Sequence, residues 1–143
     1  MSESTSSALS GGQAPPDAAS LAARTNDLEE AYEFFLAYAA QGLPQESAQI
    51  REFLSKFERA LDGLGAFFTG YVATLRLDAE PYRGFIDVID RDARAARSAV
   101  QMMLAQPSIP SQMVDNLNAN IHVRALLTDL FLIDEVLKPH SQR

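Results

Sequence analysis

The chain has 143 residues, of which 47% are hydrophobic and 22% charged, with 12 Lys+Arg against 19 Asp+Glu and a formal charge of −7. That usage excludes a wholly disordered chain, a collagen and a mucin-like stalk, and no apolar run approaches the roughly 20 residues that cross a bilayer, so no membrane partner is expected. The absence of Cys excludes a disulfide scaffold, a thiolate metal site and a cysteine nucleophile, and the acidic balance argues against nucleic acid as a partner.

Residues 1–24 read as a disordered tail. Ser, Ala, Gly, Pro and Thr dominate it, and Gly11-Gly12 and Pro15-Pro16 interrupt any regular element. Such a segment buries too little surface to offset the entropy of ordering. It has neither the basic start and apolar stretch of a secretory signal nor the arginines of a transit peptide, so a cytoplasmic protein is expected.

Residues 25–143 read as a helical bundle domain. Asn26 with Glu29 three residues on resembles a capping box. Leu28, Ala31, Tyr32, Phe35, Leu36 and Ala39 follow amphipathic helical spacing. Gly42 fits the residue after the helix end, and Pro44 fits the first turn of the next helix. Tyr32, Phe34, Phe35 and Tyr38 spread aromatics over more than one face. A helix apolar most of the way round serves as core or as interface. Tyr is favoured at protein–protein contacts, so these four are candidate interaction residues as well as candidate core.

In the next segment Ile50, Leu54, Phe57, Leu61, Leu64, Phe68, Tyr71 and Leu75 alternate spacings of four and three, a heptad seam of coiled-coil type. The seam passes through Asp62-Gly63-Leu64-Gly65, which by local chemistry is a turn. The unbroken phase favours one helix from about Gln45 to Leu77, roughly 50 Å long, over a kink near Gly63.

Pro81 opens a third helix, whose seam is Tyr82, Ile86, Ile89, Ala93, Ala96, Val100 and Met103. It must stop by Gln106, ahead of Pro107 and Pro110. Asp87 and Asp90 precede Arg91 and Arg94 by four residues, the favourable order for pairing along a helix. Arg97 has no such partner and is the cation expected to be free for another protein. The fourth segment, Leu117 to Ala125, alternates polar and apolar residues like a strand. A lone strand has no ladder partner in this chain, so a helix is expected. Leu126, Leu127, Leu130, Ile133 and Leu137 restore helical period, and Lys138-Pro139 should end it.

The fold class is therefore all-α: an antiparallel up-down bundle of about four helices with one long central helix. A first helix of about 15 residues cannot cover a rod of roughly 50 Å. Apolar surface of that extent is rarely left in water, and a second copy packed about a two-fold axis would cover it.

Catalytic signatures are missing from the sequence. There is no Glu-x-x-His, no Gly-x-Ser-x-Gly and no Gly-rich phosphate loop. His122 lies off the apolar set and His140 near the terminus. No catalytic residue, cofactor or metal is expected. The expected function is a non-enzymatic protein–protein interaction module (adaptor, assembly factor or chaperone-like) acting as a homodimer and engaging another protein. The alternative is a regulatory bundle that senses a small apolar or aromatic ligand, with Tyr71 and Tyr82 turned inward and Asn116 or Asn120 as hydroxyl partners.

Overall fold

The first helix begins at a reciprocal cap. In the computed structural model, which describes residues 15–141, Asp17 accepts from the Ser20 backbone N–H at 2.8 Å, and Ser20 Oγ accepts from the Asp17 N–H at 2.9 Å. Helix α1 (Ala18–Ala40) therefore starts well before Asn26. The expected tail boundary at residue 24 is corrected, because Ala18, Ala19, Ala22 and Ala23 are strong helix formers and Leu21 is buried in the core. The part of the expected tail over residues 1–14 lies outside the described residues. Gly42 follows α1 at φ 64°, the left-handed position expected of it.

Pro44 does not open the next helix. The backbone of residues 43–47 is instead tied to distant groups. Ser111 N–H donates to Leu43 O at 3.0 Å, Leu43 N–H to Ser111 Oγ at 2.8 Å, and Ser47 N–H to Tyr38 Oη at 2.9 Å. Helix α2 (Ile50–Leu61) starts after this latch.

The rod expected from Gln45 to Leu77 is broken. Asp62 is extended and Gly63 left-handed, at φ 65°, and α3 (Leu64–Thr74) follows. The break is held from outside. Arg24 of α1 donates to the freed carbonyls of Ala60 at 3.1 Å and Asp62 at 2.8 Å, while its guanidinium lies 4.9 Å from the Phe67 ring centroid. These are the orphan acceptors of a helix C-terminus, and a cation satisfies them well.

The two short helices nonetheless succeed one another along a single neighbour, α4 (Glu80–Leu104). Arg51 reaches Leu104 O at 2.8 Å, Glu58 pairs with Arg97 at 2.7 Å, and a Cβ added at Gly65 would meet the Asp90 Cβ at 2.6 Å. The α2–α3 succession thus runs antiparallel to α4, with Gly65 permitting close approach. Every seam residue from Ile50 to Tyr71 is buried within one chain, and Leu75 is half-buried. The expectation of an uncovered seam is corrected: helices of 12 and 11 residues match an α4 of 25, and α1 has 23 residues, not 15.

Pro81 sits in the first turn of α4 as expected. The strand-like alternation resolves into two helices, α5 (Ser111–Ala119) and α6 (Ile121–Ser141). Asn120 between them accepts from His122 N–H at 3.0 Å and Val123 N–H at 3.3 Å, which resets the phase. Helix α6 does not stop at Lys138-Pro139; a proline in the last turn removes little of the ladder. The protein is all-helical, with six helices and no strand among the described residues, against about four expected. Helix α5 packs on α1 and α6, and α4 packs on α6. No helix among the described residues is long and apolar enough to cross a membrane.

Candidate interaction surface

Helix α6 is apolar on two sides. Val123, Leu126, Leu130, Ile133 and Leu137 are buried and face the core. Opposite them, Ile121, Ala125, Thr128, Leu132 and Val136 recur at spacings of four, three, four and four. Ile121 is 72% exposed, Leu132 54% and Val136 46%, and Phe131 on the flank is 62% exposed. Thr128 Oγ1 donates back to the carbonyls of Arg124 and Ala125 at 3.1 and 3.0 Å. Its hydroxyl is therefore satisfied within the helix.

Beside this stripe, α6 and α1 stand apart and leave a cleft. Tyr32 from α1 faces Leu127 and Phe131 from α6, with Glu29, Glu33 and Arg124 on the rim. The cleft continues past Glu29 towards Leu21, Tyr71 and Leu137. The chain-order pairing of these linings makes α1 and α6 antiparallel.

The residues singled out from sequence are scattered. Only Tyr32 lines the cleft. Phe34 is half-buried and stacks on Phe53 at 4.1 Å between centroids. Phe35 is buried and packs edge-on against Phe57 at 5.4 Å. Tyr38 is buried and donates to Ile109 O at 2.7 Å. Phe35 and Tyr38 are thus core: Phe35, on the main stripe, meets α2, and Tyr38, off it, meets the loop before α5. Arg97 is not a free cation: Glu58 lies 2.7 Å and Asp62 3.4 Å away, partners that an in-helix count of spacings cannot see. Of the two expected acid–base pairs on α4, Asp90–Arg94 closes at 2.8 Å. The Tyr–Asn pairing expected for a ligand pocket does not form, since Asn120 caps α6 and Asn116 accepts from Gln112 at 3.4 Å.

Sequence reasoning missed the outer stripe of α6, although the same count of spacings would have found it. It also missed a carboxyl pair between α4 and α6. Burial, then the hydrogen bond and charge of Asp92, push the Asp129 carboxyl up to about 7. Asp129 Oδ2 is buried and meets no donor, and His122 Nδ1 lies 3.7 Å from Asp92 Oδ1. Among the described residues no group of three or more His, Asp or Glu is arranged to hold a metal ion. Compared with known proteins, the chain matches no protein-family model, no curated protein and no solved structure.

Proposed function

We propose that this chain is a non-enzymatic protein–protein interaction module, of the adaptor, assembly-factor or chaperone-like kind, that docks its partner on the outer face of α6. In this reading α1, the α2–α3 succession, α4 and α6 act as four rods of an up-down bundle, and α5 closes one end. The carrying observation is the second apolar face of α6. Single exposed apolar residues are ordinary, but a contiguous stripe along one helix marks a contact surface. Elsewhere the exposed large apolar residues stand singly, Leu36 on α1 and Met102 on α4, whereas α6 carries four.

The test is the double substitution Leu132→Asp with Val136→Asp, followed by gel filtration in a native extract. The wild-type chain should elute larger than a monomer. The variant should move to the monomer position while its helical circular dichroism is retained. Equal elution of the two overturns the reading.

The cleft lined by Tyr32, Leu127 and Phe131 favours a second reading, a sensor of a small apolar or aromatic ligand. Mass spectrometry of the gently purified protein separates the two. A small molecule retained by the wild type and lost in Tyr32→Ala supports the sensor, and its absence removes it.

A further inference from the structure

The outer stripe of α6 is close to a palindrome. Read about the point between Thr128 and Asp129, Ile121 corresponds to Val136 and Ala125 to Leu132. If two α6 helices lie antiparallel, face to face, the large ends meet each other and each small Ala125 receives a Leu132. Large-against-small interdigitation is what a close helix pair needs. The flank of the stripe carries the matching charge pattern. Arg124 stands in the N-terminal half and Glu135 in the C-terminal half, on the same side of the stripe. A two-fold axis perpendicular to the helices brings same-side flanks together, so each Arg124 faces the other copy's acidic position. A parallel pair, with its two-fold along the helices, sets each flank against the opposite flank of the other copy, so Arg124 and Glu135 would not meet. Among the described residues the cation near Glu135 is Lys138 at 3.4 Å, and Glu135 is largely exposed.

We infer that the occupant of the α6 outer face is a second copy of this chain, packed antiparallel about a two-fold axis near Thr128, with Arg124 and Glu135 setting the direction. This rests on the reading of α6 as a docking face and names its partner. The contact is isologous, so it closes at two copies and leaves no apolar stripe to propagate a fibre.

Sedimentation equilibrium on the purified full-length protein, from about 1 to about 300 µM, tests the association. The wild type should shift from monomer to dimer mass within that range. Arg124→Glu and Glu135→Arg should each weaken association about tenfold, since each turns two attractive pairs repulsive, and the two together should restore it. The chain has no cysteine, so Thr128→Cys gives a second readout that needs no destabilising change. Mild oxidation should yield a disulfide-linked dimer, because residues at the axis of a close helix pair come within bridging distance, whereas Ser98→Cys on the exposed side of α4 should not. A monomer throughout, with no Thr128→Cys dimer, overturns the inference. It leaves the extract experiment free to support docking of a different protein. A dimer indifferent to both charge swaps overturns the antiparallel α6 pairing.

Discussion

Asp129 couples the stability of the fold to pH. In the folded chain its carboxyl titrates near 7, chiefly because it is buried and then because Asp92 faces it. In the unfolded chain it reverts to the ordinary aspartate range near 3.8. Between those values the folded state holds a proton that the unfolded state lacks. The contribution is fully present below the unfolded value and is lost as pH rises through about 7. His122 lies on the same cluster, its Nδ1 3.7 Å from Asp92 Oδ1. The melting temperature should therefore fall between about pH 4 and about pH 7 and level off above that, and Asp129→Asn, which donates without ionising, should flatten that fall. A variant that keeps the wild-type slope would show that the pair is not its source. Nothing in the local sequence announces this pair: Asp92 and Asp129 are 37 positions apart, and only the packing of α4 on α6 brings them together.

The interruption between α2 and α3 shows how far local sequence carries an element. The heptad seam was legible and is the buried face, because burial depends on which residues face α4. The break was legible too, in Asp62-Gly63, but the unbroken phase outweighed it. Tertiary contacts decide between them. Arg24 supplies two donors to the freed carbonyls, and Arg97 holds Glu58 and Asp62 on the other side. Neither partnership has a sequence spacing to reveal it. Arg24 lies in the stretch whose composition reads as tail, although its alanines have the highest helix propensity of any residue. Arg24→Leu keeps the apolar stem and removes both hydrogen bonds. It should lower stability by about 1–2 kcal/mol, the range for a charged donor on backbone acceptors at a partly exposed site. Urea denaturation should show a lower midpoint at an unchanged slope. An unchanged midpoint would mean that water serves those carbonyls equally well.

On the scale of the whole molecule, apolar residues divide into those that hold the chain together and those left for something else. Helical class and the stripes of α2 and α4 follow from periodicity because each of these helices has one apolar side, and α1 and α3 bury apolar residues on more than one side within the chain. Helix α6 does not, and a single-stripe reading had to leave Phe131, Leu132 and Val136 without a place. Leu130 and Leu132 make the division measurable. They are two residues apart on one helix, one 7% exposed and one 54%. Leu130→Ala deletes packed core volume and should cost about 2–4 kcal/mol. Leu132→Ala, compared at a concentration where the chain is monomeric, should stay within about 0.5 kcal/mol of wild type. Raising the protein concentration should then separate the wild type from Leu132→Ala, because association stabilises only the chain that keeps its outer stripe. Equal losses for Leu130→Ala and Leu132→Ala in the dilute monomer would mean that the chain itself covers the outer face, leaving no stripe for a partner.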